Sequence, residues 1–182
     1  MKNLSFIAAI VFSMSLNAQN LISKDDLSIE DGKYLLKNTN SPFTGKLVTY
    51  YPEGQIESLS HVNRGVKAGK IIVFYDSGKK LSVLYENANH VNYGKIKNWH
   101  ENGKLSFKGY FVDGKLYKSG EDKPFSGTII SKYTNGNKHE EAHFIDGHWN
   151  GNHTRWDRNG NIIFECIFEN NKIIDCPIYH KK

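Results

Sequence analysis

Short apolar runs punctuated by glycine-bearing turns dominate the chain from about residue 45 onward. Five segments open on Gly and carry a second Gly nine positions later: GKLVTYYPEG (45–54), GKIIVFYDSG (69–78), GKIKNWHENG (94–103), GTIISKYTNG (127–136) and GNHTRWDRNG (151–160). Their starts lie 24, 25, 33 and 24 residues apart. The runs before each second Gly are β-branched and aromatic, as in Ile71-Ile72-Val73-Phe74-Tyr75, which favours strands. The turns Glu53-Gly54, Ser77-Gly78, Asn102-Gly103, Asn135-Gly136 and Asn159-Gly160 supply positive φ cheaply, and Asn-Gly is a strong short-range hairpin signal. A second class of turn joins one repeat to the next at Arg64-Gly65, Asp113-Gly114 and Asp146-Gly147. The pattern predicts an all-β chain, an elongated single-layer antiparallel β-meander of tandem hairpin repeats about 24 residues long. Leu81, Leu84, Tyr85 and Ala88 have helical spacing, but the stretch aligns with strands in the sister repeats and is read as a strand.

The long third interval contains a duplicated opening segment. DGKYLLKNTNSPFTG (31–45) returns as DGKLYKSGEDKPFSG (113–127), offset by 82 residues. The chain therefore divides into an N-terminal lead-in at 20–30, a first module at 31–112 with three hairpins, a second at 113–176 with two, and a tail at 177–182. Phe43 and Phe125 take equivalent places in the two opening segments and are expected to plug the start of each module, as capping elements do in repeat arrays.

Two aromatic columns run through the repeats. Five positions after each opening Gly stand Tyr50, Phe74, Trp99, Lys132 and Trp156; one residue later stand Tyr51, Tyr75, His100, Tyr133 and Asp157. Successive strand residues face opposite sides, so each column projects from one face. The first column is read as a ladder of rings by which neighbouring hairpins hold each other. Tyr50, Phe74, Trp99, Trp156, Tyr51, Tyr75 and Tyr133 are also the candidate recognition strip.

Residues 1–19, MKNLSFIAAIVFSMSLNAQ, have a basic start, an uncharged apolar run and a small-residue exit at Ala18, the build of a cleavable signal peptide. The run is short for a membrane span. The expected location is therefore periplasmic or secreted. An oxidising compartment favours pairing of the two cysteines, Cys166 and Cys176, across a hairpin turning at Asn170-Asn171. That turn sets Cys166 opposite Asp175, one residue short of its partner; two reduced, half-buried thiols are the alternative.

The balance of 24 Lys and Arg against 19 Asp and Glu gives +5, with lysines scattered singly, so no nucleic-acid partner is expected. No phosphate loop, nucleophile elbow or His-Glu-x-x-His pattern is present in the sequence, and no catalytic residue, metal site or cofactor is assigned. Glu53, Glu101 and Asp76 fall in turns, where solvation suffices to explain them. His139, His143, His148 and His153 cluster in sequence, but His139 and His143 on one strand stand about 13 Å apart, too far to share one ion. The default reading is surface histidines.

The Gly-x8-Gly hairpins with aromatics before the turn, together with Pro-Phe-Thr-Gly at 42–45 and Pro-Phe-Ser-Gly at 124–127, resemble the bacterial variant of the MORN repeat, in a family often described as antitoxin-like. The resemblance covers about residues 31–175. It implies an elongated β-meander in protein or membrane-surface contact and no catalytic residues. The dense Tyr-x-Gly-x-Trp spacing of eukaryotic MORN repeats is missing, so phosphoinositide binding is not carried over, and an export signal does not fit a cytosolic antitoxin. The expectation is a non-enzymatic binder of an unidentified protein in the envelope or medium, with an immunity-type inhibitor as the narrower version. A structural or anionic-lipid surface protein is the second alternative, and a small metal-dependent enzyme built on the histidines the third. Homodimers through free sheet edges are also allowed.

Overall fold

The computed structural model describes residues 21–89 and 91–179; the signal peptide expected at 1–19 lies outside the described residues. Fifteen strands follow in order: β1 (Leu21–Ser23), β2 (Leu27–Glu30), β3 (Lys33–Leu36), β4 (Gly45–Tyr50), β5 (Ile56–Asn63), β6 (Val66–Phe74), β7 (Lys80–Glu86), β8 (Gly94–Trp99), β9 (Leu105–Val112), β10 (Lys115–Lys118), β11 (Gly127–Lys132), β12 (Lys138–Ile145), β13 (His148–Trp156), β14 (Ile162–Glu169) and β15 (Lys172–Tyr179). The stretch with helical spacing at Leu81–Tyr85 lies in β7. Three residues assigned to the tail, Pro177, Ile178 and Tyr179, extend β15.

The first sheet has the order β1-β4-β5-β6-β7-β8-β9-β10 and the second β11-β12-β13-β14-β15, with β2-β3 as a separate hairpin. Pairing is antiparallel except where the lead-in strand β1 joins β4 in parallel. The tandem-hairpin reading therefore holds, with one refinement. The two larger sheets share a core, so the described residues are not a single extended layer. Ile96, Phe107, Phe111 and Leu116 of the first sheet bury against Ile129, Ala142 and Phe144 of the second.

The turn chemistry explains the coiling. The connecting turns are two-residue turns with positive φ at both positions, as at Arg64 (48°) and Gly65 (80°), which matches the mirror-image type I turn. Within each repeat only the Gly is positive, as at Gly103 (84°), where the Asn102 side chain accepts the Lys104 N–H at 2.9 Å. That is the wider turn closed by a glycine bulge. Each of the five hairpins shifts register at the same place, between Thr49/Tyr50, Val73/Phe74, Asn98/Trp99, Ser131/Lys132 and Arg155/Trp156. A bulge adds local right-handed twist, and five in one register bring the later hairpins back over the earlier ones.

The duplication at 82 residues reappears as backbone hydrogen bonds. Tyr34 N donates to Gly65 O (2.8 Å), Phe43 N to Tyr34 O (3.0 Å) and Gly65 N to Phe43 O (2.8 Å); Leu116, Phe125 and Gly147 repeat the circuit at 2.9, 2.7 and 2.9 Å. Arg64 N to Thr44 Oγ1 and Asp146 N to Ser126 Oγ repeat likewise at 2.8 and 2.9 Å. Phe43 is buried with Leu27, Leu47 and Val62, and Phe125 packs on Phe107 and Phe144.

Candidate binding face

Strand alternation sends the two aromatic columns to opposite sides, and the structure gives them different work. The second column turns inward. Tyr51 Oη donates to Phe74 O at 2.7 Å, Tyr75 Oη to Trp99 O at 2.9 Å and Tyr133 Oη to Trp156 O at 3.0 Å. Each bond joins one hairpin to the next through the backbone of the outward aromatic. Tyr75 is fully buried and also reaches Lys132 O at 3.3 Å. Burial pushes all three phenols up, Tyr133 to about 12. At the third hairpin His100 replaces the tyrosine, and the Glu101 N–H makes the link instead, to Lys132 O at 2.9 Å. Tyr51, Tyr75 and Tyr133 thus do not belong to an exposed recognition strip, because buried hydroxyls need partners and find them in the neighbouring repeat.

The first column takes the other face, with Tyr50 and Lys132 exposed and Phe74, Trp99 and Trp156 half-buried. Tyr50 pairs across its hairpin with Ile56, Phe74 with Lys80, Trp99 with Leu105, Lys132 with Lys138 and Trp156 with Ile162. Tyr50, Ile56, Leu105 and Ile162 are exposed large apolar side chains. The rings do not form the stacked ladder expected from the repeat spacing. Lysines sit between them: Lys80 lies over Trp99 at 5.7 Å and Lys138 over Trp156 at 5.4 Å, each reaching from the preceding hairpin. The signal that could have separated the columns is chemical. The inward register keeps a hydroxyl in three repeats, whereas the outward one varies among Tyr, Phe, Trp and Lys.

The turns converge on Arg158. Its guanidinium binds Asp76 Oδ2 through Nε at 2.8 Å and Glu101 Oε2 through Nη1 at 3.1 Å, and lies 4.7 Å over the Tyr133 ring. Glu101 also accepts from Thr134 N and Oγ1 at 2.8 and 3.0 Å. Arg158 holds the Glu101 carboxyl at about 2. Solvation in a turn is therefore not the explanation for Glu101, which is 2% exposed. It is one end of an ion-pair network tying hairpins two, three and five.

The histidines separate. His139 is buried, edge-on to Tyr75 and Tyr133, with Nδ1 3.3 Å from Ser131 Oγ, and burial lowers it to about 4. His153 pairs with Glu140 at 2.7 Å, His143 with Glu141 at 3.0 Å, and His148 Nδ1 lies 2.7 Å from Asn171. Surface placement is thus wrong for His139. Among the described residues no three His, Cys, Asp or Glu side chains are placed to hold a metal ion. Cys166 and Cys176 form a disulfide. A shift in the ladder makes this fit: Phe168 faces Ile173 and Ile167 faces Asp175, leaving Ile174 as the extra residue. The extra residue moves Cys176 to the place opposite Cys166 that an unbulged hairpin gives to Asp175.

No curated protein and no solved structure matches the chain. The family model described as the MORN repeat variant matches residues 43–63, 92–113 and 149–170, which are the first, third and fifth hairpins of the array.

Proposed function

We propose that this chain is a non-enzymatic repeat protein of the envelope or medium that binds another protein through its outward face. The observation that carries the reading is the division of the aromatic columns. The inner tyrosines hold the hairpins together, which leaves Tyr50, Phe74, Trp99 and Trp156 with exposed Ile56, Leu105 and Ile162 on four of the five hairpins. Aromatics in a strip of this kind are the residue types that anchor protein interfaces. The match to a repeat family that serves binding or interaction supports the class. Location outside the cytoplasm is supported by the signal-like pattern of residues 1–19 and by the disulfide, since disulfides persist in oxidising compartments. An immunity-type inhibitor is the narrower form of the proposal, and its target would be a toxin acting outside the cytoplasm.

The test is affinity capture by tagged exported protein from envelope and medium fractions of the source organism, beside a Trp99→Ala/Trp156→Ala variant. A partner held by the wild type and lost by the folded variant is the expected result. Equal retention by both removes the outward face as the site. The lysines in the strip, Lys80, Lys132 and Lys138, favour the second reading, contact with an anionic membrane surface. That reading predicts liposome binding abolished by salt.

A further inference from the structure

A cavity of about 260 Å³ lies between the two sheets. Leu84, Ile96 and Phe111 line it from one side and Ala142, Phe144 and Trp149 from the other. An apolar cavity of roughly 150 Å³ admits one benzene ring, so this one accommodates a molecule of one or two rings.

The fifth hairpin departs from its sisters at the cavity wall. Two positions after the opening Gly the first four hairpins carry Leu47, Ile71, Ile96 and Ile129, and the fifth carries His153; at four positions they carry Thr49, Val73, Asn98 and Ser131, and the fifth carries Arg155. His153 and Arg155 both face the cavity. The neighbouring polar groups are engaged with one another: His153 with Glu140 at 2.7 Å, Ser131 with His139 at 3.3 Å, Ser82 with Asn98 at 3.2 Å and Tyr51 with Phe74 O at 2.7 Å. Arg155 bonds Glu57 through Nη2 at 3.3 Å, but its Nε is buried with no hydrogen-bond partner. A buried donor without an acceptor is costly, and this one belongs to a residue of the cavity wall.

From this geometry we infer that the cavity binds a small, neutral, largely apolar molecule carrying one hydrogen-bond acceptor. The walls select apolar bulk, and the Arg155 side chain turns its Nε–H, which the surrounding atoms cover in this structure, toward the acceptor. Neutrality follows from the charges near that donor: one guanidinium, already paired with Glu57, beside the ionised Glu140. An anion would face two carboxylates. The route in is the seam between β7 and β8, whose ladder pairs at Ser82↔Asn98 and Val83↔Lys97 and resumes beyond Leu84 at the Tyr93 N–H to Tyr85 O bond and the Glu86↔Asn92 bridge, leaving a break at Leu84; β6–β7 and β8–β9 each pair at six positions. Half-buried Leu84 and Asn92 flank that seam and line the cavity.

The experiment is a fluorescence titration of the disulfide-bonded protein with prodan, a neutral naphthyl ketone whose emission moves to the blue in apolar surroundings. Blue-shifted emission saturating at one probe per chain is expected. Ala142→Leu, which adds bulk to the wall, should weaken binding about tenfold. Arg155→Met should weaken it by a similar factor while keeping the blue shift, since it removes the donor and leaves the walls. Leu84→Trp at the seam serves if Ala142→Leu does not fold. An anionic naphthalenesulfonate should bind at least about tenfold more weakly than prodan. Trp99→Ala/Trp156→Ala, on the outward face, should leave the titration unchanged, so the cavity and the protein-binding face stand or fall separately. Unchanged prodan binding in a folded wall variant, equal binding of the anionic probe, or no saturable site in the wild type would overturn the inference.

Discussion

The Tyr75 hydroxyl and the Trp99 carbonyl, 2.9 Å apart, join the second hairpin to the third at the point where the two aromatic columns meet. The inward ring of one repeat is anchored on the backbone of the outward ring of the next. Tyr51 and Tyr133 repeat the arrangement on Phe74 and Trp156. Tyr75→Phe removes one oxygen atom and leaves the Trp99 carbonyl without its side-chain donor. The expected loss is roughly 1–3 kcal/mol, read as a lower urea midpoint. Tyr51→Phe should cost less, because Tyr51 is only half-buried.

Arg158→Met leaves the Glu101 carboxylate buried and short of its strongest partner. Breaking a fully buried pair costs about 3–5 kcal/mol. Arg158 is about a third exposed, so roughly 2–3 kcal/mol is expected here. Asp76→Asn, whose side chain is also about a third exposed, should cost less than half as much. Denaturation of both variants in parallel checks the order.

Acid should destabilise the protein in two windows. Burial lowers His139 from 6.5 to about 4, so the unfolded chain binds a proton that the folded one refuses. That stability is complete above pH 6.5 and is lost as pH falls toward 4, at most ~3–4 kcal/mol. Glu101 is lowered from 4.5 to about 2 by Arg158. Its contribution is present above 4.5 and disappears between 4.5 and 2. His139→Phe should flatten the upper window and Glu101→Gln should shrink the lower, which Glu140, also held at about 2 beside His153, shares, in urea melts at stepped pH.

Gly147→Ala and Gly136→Ala both force a side chain to positive φ, at 77° and 91°, a strain of about 1–2 kcal/mol. They differ in space. A Cβ on Gly147 would lie 2.8 Å from Leu116 N and 2.9 Å from Leu116 O, whereas Gly136 meets nothing within 4 Å. Thermal melts should show Gly147→Ala as clearly the more damaging, because the Leu116 backbone cannot swing aside as a flexible side chain could.

Reduction of Cys166–Cys176 should cost about 2–3 kcal/mol for a loop of this length. Because the bridge closes only the last hairpin, the loss should appear as faster amide exchange in β14 and β15, with the Tyr75 region little changed.

Much of this architecture was legible in the chain. The five Gly-x8-Gly hairpins and the duplicated opening segment both return as strands and as hydrogen bonds, since turn chemistry is local and repeats announce themselves. The inward direction of Tyr75 was not legible, because alternation says that adjacent residues face apart without saying which faces in. The Arg158 network joins residues 57 and 82 positions apart, and no local pattern marks such a contact. The coil that brings the two sheets together arises from bulges whose summed twist no single repeat reveals. The disulfide was expected from compartment and spacing, but the extra residue at Ile174 that aligns it carries no sequence signature.

The central claim is that the inner column holds the fold while the outer column is free for recognition. Lys132 already occupies the Trp99 register in the fourth hairpin, so Trp99→Lys is a substitution the repeat itself uses. Urea midpoints of Tyr75→Phe and Trp99→Lys, measured side by side, test the division directly. Loss of one buried oxygen at Tyr75 should lower stability more than loss of the whole indole at Trp99. If Trp99→Lys is the more destabilising of the two, the outer column is structural and the claim fails.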